Sequence, residues 1–299
     1  MNDTDLSALP LAVDGLPTLH RQLKSHGIEP RKALGQNFLL DLSLTCKIAR
    51  AACLDLAQTV IEVGPGPGGL SRALLMEGAQ EVIAIEKDGR LSGLLDGIAQ
   101  HYPDRFRVID ADATYCDITK LGQEPRMIVA NLPYNVGTAL LVQWLLQLSK
   151  EPQCFVMMTL LFQKEVAQRI TAQVGDKAYG RLSILSRWLC DCEMLFDIPA
   201  TAFVPAPKVT SSLVQLRPRA EPLYPASLPL LEKITAAAFA QRRKMLRQSL
   251  KQLATALNIS AQEFCEQAEI SPTARAEQID IAGFCRLAQL YEKLEQALL

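Results

Sequence analysis

Histidine is scarce in this chain: His20, His26 and His101 are the only three in 299 residues. The eight cysteines, at positions 46, 53, 116, 154, 190, 192, 265 and 285, include no CxxC pair, and Cys190 and Cys192 stand too close together for ordinary zinc spacing. No metal site is expected, and the thiols read as reduced and mostly buried. Long apolar runs are missing too. Stretches such as Ala139 to Val142 and Phe155 to Phe162 are short or interrupted by Thr159, so no transmembrane helix fits and no membrane partner is expected. The amino end, Met1 to Asp5, has neither a basic region nor an apolar one, which excludes a secretory signal or a typical transit peptide and points to the cytoplasm. An excess of one charge is also absent, with 31 Lys and Arg against 32 Asp and Glu. Attraction to a polyanion must then come from local patches.

What is present is a globular composition, 49% hydrophobic and 21% charged, which predicts a large core. At roughly 150 residues per domain the length suggests about two domains. From residue 59 onward, β-branched runs alternate with helical segments. Strands are predicted at Thr59 to Val63, Glu81 to Glu86, Phe106 to Asp110, Arg126 to Ala130, Cys154 to Leu160, Cys192 to Ile198 and Ser211 to Arg217. Gly69 to Met76, Asp88 to Gln100 and Thr138 to Leu148 have helical length between them. This is the βαβ rhythm of an α/β fold with a parallel sheet, the last two strands being able to pair as an antiparallel edge. Pro218, Pro222, Pro225 and Pro229 then punctuate a linker, after which only helices are read. The expected organisation is an amino-terminal extension over 1–30, an α/β domain over 31–218 and a small all-helical domain over 219–299. Within the extension, Leu16 to His26 can form a short helix closed by Gly27.

The first strand runs into Glu62-Val63-Gly64-Pro65-Gly66-Pro67-Gly68-Gly69. Gly64, Gly66 and Gly69 satisfy G-x-G-x-x-G, and Glu86 ends the next strand about 20 residues on, where a carboxylate can accept both ribose hydroxyls of an adenosine cofactor. Leu70 stands where a P-loop needs lysine, which disfavours a nucleotide triphosphatase. The acidic-glycine pattern from Glu62 to Gly68 is that of class I S-adenosylmethionine methyltransferases, with a Rossmann-like fold. Asp112, just past the third strand, is placed to hold the adenine amino group, or else to cap a turn.

The fourth strand ends in Asn131-Leu132-Pro133-Tyr134-Asn135, at the sheet edge where ligands bind in open α/β folds. An exocyclic adenine amine is a poor nucleophile because its lone pair is delocalised. The Asn131 side-chain oxygen and the Leu132 carbonyl can accept its hydrogens and aim the lone pair at a sulfonium methyl. Pro133 stiffens the turn and Tyr134 offers a stacking face to an extruded base.

These motifs, with Leu34-Gly35-Gln36-Asn37-Phe38-Leu39, Gln163 to Val166, Ala178 to Ser183, Phe203 to Val209 and Gln241 to Lys244, resemble the ribosomal RNA adenine dimethyltransferases, in order and spacing, from about Arg31 to Ile279. The small-subunit branch is the nearer one; the Erm enzymes of large-subunit RNA share the catalytic motifs. The resemblance implies that Asn37 and Leu39 contact the cofactor along with Gly64, Gly66, Glu86, Asp112 and Asn131. It also implies that Phe203 faces the target base opposite Tyr134. Without it, Gln36-Asn37 reads as a polar loop. The implied substrate is a pair of adjacent adenines in a hairpin loop near the 3′ end of small-subunit (16S) ribosomal RNA, each receiving two methyl groups, within a precursor of the 30S particle; a monomer is expected. The family motif offers no role for the amino-terminal extension.

Two basic clusters can meet RNA. One comprises Arg21, Lys24, Arg31 and Lys32. The other, Arg242, Arg243, Lys244, Arg247 and Lys251, is predicted to lie on a single helix whose neighbouring face is apolar. Two readings compete with a methyltransferase: a nicotinamide-dependent oxidoreductase on the same glycine loop, and a ribosome-assembly factor that binds RNA without chemistry. Asn131 to Tyr134 argues against the first, because hydride transfer has no use for paired acceptors of amine hydrogens.

Overall fold

A computed structural model describes residues 11–298, the Lys32 side chain excepted. The chain separates into two compact units. The first comprises residues up to Gln147, Gln153–Ala167 and Glu193–Arg217, and the second Leu148–Pro152, Gln168–Cys192 and Pro218 onward.

The first unit opens with α1 (Leu19–Ser25), ended at His26 and followed by Gly27 with positive φ, then β1 (Phe38–Leu39) and α2 (Leu42–Ala51). Asp41 caps α2 by accepting from the Ser43 amide at 2.8 Å. The sheet follows as β2 (Thr59–Val63), α3 (Gly69–Met76), β3 (Glu81–Glu86), α4 (Ser92–His101), β4 (Phe106–Asp110), β5 (Arg126–Asn131), α5 (Gly137–Lys150) and β6 (Met157–Gln163). After α6 (Lys164–Thr171) and α7 (Arg181–Leu189) come β7 (Cys190–Ile198), β8 (Phe203–Val204) and β9 (Ser211–Pro218). Seven strands lie in the order β4-β3-β2-β5-β6-β9-β7, parallel from β4 through β6, with β9 antiparallel to β6. β1 and β8 form a separate antiparallel pair. β2 sits centrally with every residue buried, Thr59 and Glu62 included. Its one acid, Glu62, accepts from the Ser71 hydroxyl of α3 at 2.5 Å, and burial pushes its carboxyl up to about 8.

The residues read as an extension are part of this unit from 11 onward. Arg72 projects from α3 into the interior, where its guanidinium pairs with both oxygens of Asp14 and donates to the Pro17 carbonyl at 2.8 Å. Both side chains are 0% exposed.

The second unit carries α7 together with α8 (Leu228–Ala240), α9 (Leu246–Ser249), α10 (Lys251–Ala256), α11 (Ala261–Gln267) and α12 (Ile281–Gln296). Its core is Leu231, Ile234, Ala238, Phe264, Phe284 and Leu287, all fully buried. The chain does pass between units at residue 218, yet Gln168–Cys192 also belongs to the helical unit. The cause is α7, whose buried Trp188 donates to the Tyr224 carbonyl at 2.7 Å, while Tyr179 just ahead of it donates to the Ile279 carbonyl at 3.0 Å. Among the described residues no helix is long and apolar enough to cross a membrane.

The single basic helix expected from 242 to 251 is not formed. α8 ends at Ala240, a turn carries residues 241–245, and the helical path resumes as α9 and α10. Here the amides of Leu246 and Arg247 donate to the carbonyls of Ala274 and Pro272, at 2.8 and 3.0 Å, and Met245 bridges Arg275. Those amides are thereby withdrawn from any bond to the preceding turn of α8.

Candidate active site

The carboxyl ends of β2, β3 and β5 and the residue pair just past β4 open into one cleft, whose non-atom space, partly open to solvent, is about 910 Å³. Its floor is the turn from Gly64 to Gly69, and its walls include residues 34–39, Glu86, Asp112 and Asn131 to Tyr134. This is the edge at which ligands bind in α/β sheets. Gly69 has to be glycine because a Cβ there would lie 2.5 Å from the Leu39 carbonyl oxygen. The glycine loop and the segment 37–39 therefore touch backbone to backbone.

Glu86 is held by three amides: Lys87 and Asp88 at 2.9 Å on one oxygen and Gly66 at 3.2 Å on the other. Burial raises its pKa, and these backbone bonds oppose the rise. A carboxylate so fixed keeps one open lone-pair site, on the oxygen that accepts from Gly66, for a ribose hydroxyl, and a second hydroxyl would share an oxygen already bonded. Asp112 divides its oxygens. One caps the following turn, accepting from the Thr114 amide at 3.0 Å and hydroxyl at 2.7 Å, and those bonds hold the carboxyl below its usual range. The other faces the cleft and the Lys87 ammonium at 3.3 Å. The cap and the ligand readings of Asp112 thus apply to different atoms.

At the end of β5, the Asn131 amide nitrogen donates to the Asn37 carbonyl at 3.1 Å. Its oxygen has no partner among the described residues, which leaves it free as an acceptor beside the Leu132 carbonyl. Tyr134 is fixed by a 2.6 Å bond between its hydroxyl and that of Ser211 on β9. Gly35 packs on this motif at φ +65°, where a Cβ would meet the Asn135 side-chain oxygen at 2.6 Å.

Asn37, Leu39, Gly64, Gly66, Glu86, Asp112, Asn131, Leu132, Pro133 and Tyr134 are therefore brought together. Phe203 is not. It is 3% exposed, packs among apolar core residues and pairs in the β1/β8 ladder with Leu39, and it is not one of the residues that line the cleft. Arg242 also departs from expectation. Its guanidinium donates to Glu277 at 2.8 Å and to the Lys177 carbonyl at 2.7 Å and so is already engaged. Arg243, Lys244, Arg247 and Lys251 are exposed without side-chain partners among the described residues, and Arg31 is exposed. Lys32's side chain lies outside the described residues. Among these residues no cluster of His, Cys, Asp and Glu is arranged to hold a metal.

The model of the ribosomal RNA adenine dimethylase family matches residues 27–293. The chain belongs to that family. This dimethylase is 54% identical over 278 residues to the ribosomal RNA small subunit methyltransferase A of Rhodopseudomonas palustris strain BisB5, covering 93% of this chain and 95% of the relative. It is 51% identical over 276 residues to the protein of the same name from Rhodospirillum rubrum, covering 92% and 93%. Among solved structures, a dimethyladenosine transferase from Plasmodium falciparum shares the fold, with a TM-score of 0.70 at 24% identity over 85% of this chain and 97% of that one. The 23S rRNA methyltransferase ErmE aligns with a TM-score of 0.61 at 27% identity over 86% and 100%. Membership disposes of the nicotinamide-dependent reading of the glycine loop.

Proposed function

We propose that this chain uses S-adenosylmethionine to dimethylate the N6 atoms of two adjacent adenines in the 3′-terminal hairpin loop of 16S ribosomal RNA, acting as a cytoplasmic monomer on a precursor of the 30S particle. The observation that carries the chemistry is the Asn131 amide, whose nitrogen is committed to the Asn37 carbonyl so that its oxygen stands free in the cleft. When bound, S-adenosylmethionine supplies an activated methyl group on a sulfonium. The chain's own contribution is to accept the hydrogens of the target amine on Asn131 Oδ1 and the Leu132 carbonyl and to offer Tyr134 as a stacking face. No strong base is needed, since the methylated ammonium loses its proton readily.

The residues present suit this cofactor: Glu86 for the ribose hydroxyls, Asp112 for the adenine amine, and the glycine turn, Asn37 and Leu39 around the rest. The choice of the small subunit is supported by relatives of that name at 51–54% identity, against 27% for ErmE. The deciding experiment supplies the purified protein and methyl-labelled cofactor to small and large subunits that lack dimethyladenosine. Two adjacent dimethyladenosines near the 3′ end of 16S RNA are expected; label in large-subunit RNA alone would overturn the assignment.

Replacing Glu86 by alanine removes a charged acceptor, and S-adenosylmethionine binding measured by calorimetry is expected to weaken by about 1.5 to 3 kcal/mol. Unchanged affinity in a folded variant would sink this role.

For RNA, the cations proposed to meet phosphates are Arg243 and Lys244 on the turn, Arg247 on α9 and Lys251 at the start of α10. The triple variant Arg243→Ala, Arg247→Ala, Lys251→Ala is expected to bind small-subunit particles more weakly. Its plot of log K against log salt should be shallower by roughly two to three, while cofactor affinity stays the same. An unchanged slope with helix content retained would make this face ordinary solvated surface and return attention to Arg31 and Lys32.

A further inference from the structure

Glu86 and Asn131 stand on strands separated by β2, yet a chain of hydrogen bonds joins them outside the sheet. The Asp88 amide donates to Glu86 at 2.9 Å. The Asp88 side chain, 4% exposed, accepts from Gln36 Nε2 at 2.8 Å and from Arg90 Nε and Nη2 at 2.9 and 2.6 Å. Gln36 Oε1 accepts in turn from the Arg31 amide at 2.8 Å, and Arg90 Nη1 donates to the Glu29 carbonyl at 3.1 Å. The residue after Gln36 is Asn37, whose carbonyl holds the Asn131 amide nitrogen.

This arrangement is more than a loop fastening. Residues 29–37 have no strand partner before Phe38, so the Asn37 carbonyl is placed between the β1/β8 ladder on one side and what Gln36 grips on the other. Gln36 grips in both directions, with its donor on Asp88 and its acceptor on Arg31, and Arg90 closes the ring by holding Asp88 and Glu29 together. Asp88 is almost entirely withdrawn from water, so a lost donor there is not replaced freely by solvent.

We infer that Gln36, clamped by Asp88 and Arg90, is a positioning residue that sets the Asn37 carbonyl and through it the orientation of the Asn131 amide, linking the seat of Glu86 to the group that receives the target amine. The inference rests on the role proposed for Asn131. Gln36 also borders the cleft, and a residue that merely touched the cofactor would govern cofactor binding instead of the rate of transfer.

The test uses the full chain, small subunits lacking dimethyladenosine and labelled S-adenosylmethionine. Gln36→Glu keeps the shape and the acceptor but turns the donor facing Asp88 into a second carboxylate oxygen. Single-turnover transfer is expected to slow roughly tenfold to a hundredfold, the scale of a small misplacement of a reacting group, with cofactor Kd changed less than about threefold. On an Asn131→Ala background, Gln36→Glu is expected to cost little more, since the two act through one group.

If Gln36→Glu does not fold, Gln36→Met, which removes both polar ends, serves in its place with the same expected split between rate and Kd. A normal rate in the single variant, a loss confined to cofactor Kd, or a full further loss when Gln36→Glu is added to Asn131→Ala would each overturn the inference. Failure of the unmodified protein to methylate adenine would instead strike at the proposed function.

Discussion

Asn131→Ala is expected to slow single-turnover methyl transfer on the order of 10²-fold or more while RNA affinity changes little, by analogy with the loss of one preorganised donor in an oxyanion hole. The expectation follows from where the amide points. Its nitrogen is tied to the Asn37 carbonyl, so the oxygen is aimed before any base arrives and no reorganisation is required at the moment of reaction. The alanine variant keeps the turn, because Pro133 and its carbonyl bonds to the amides of Val136 and Gly137 at 3.1 and 3.0 Å are untouched. Near-normal turnover would reduce Asn131 to a turn residue and move the search for the amine acceptor elsewhere.

The largest expected loss of stability comes from Asp14→Ala. Arg72 would then keep its charge in the interior with only the carbonyls of Pro17 and Leu16 for company, the latter at 3.5 Å. Breaking a buried pair in this way typically costs about 3–5 kcal/mol, a large fraction of what holds a domain together. Denaturant titration reads it directly. Replacing both partners by apolar residues, Asp14→Leu with Arg72→Met, should recover most of the loss, because no charge is then left unpaired. Equal damage from the single and the double change would mean that the loss is one of packing and not of charge.

The sequence foretold this architecture unevenly. β2, β3 and β4 begin and end where the β-branched runs do, since Gly64, the Lys87-Asp88 turn and Asp112 punctuate them. β6 is displaced by three residues from its expected place because Cys154 to Phe162 is apolar except for Thr159 and offers no periodicity from which to set an end. The cleft was legible for a different reason: its residues lie at strand ends, where local motif and sheet geometry agree. Phe203 shows the limit of that logic, since a motif names the residue but not which way it turns. Arg72 in an apolar helical stretch signals a buried charge, yet nothing local points to a partner 58 residues earlier. The break between α8 and α9 was equally hidden, because the amphipathic pattern continues across it while the competing carbonyls come from Pro272 and Ala274.

The way the chain alternates between its two units bears on how this protein can be dissected. A fragment starting after residue 218 omits Tyr179 and Trp188, whose hydroxyl and ring nitrogen are tied to Ile279 and Tyr224 respectively, and removes α7 with them. Conversely, a fragment stopping at 218 carries those aromatics with nothing to cover them. Transplanting the helical unit between relatives, or rebuilding the enzyme from two pieces, must therefore move residues 168–192 along with the carboxyl-terminal helices.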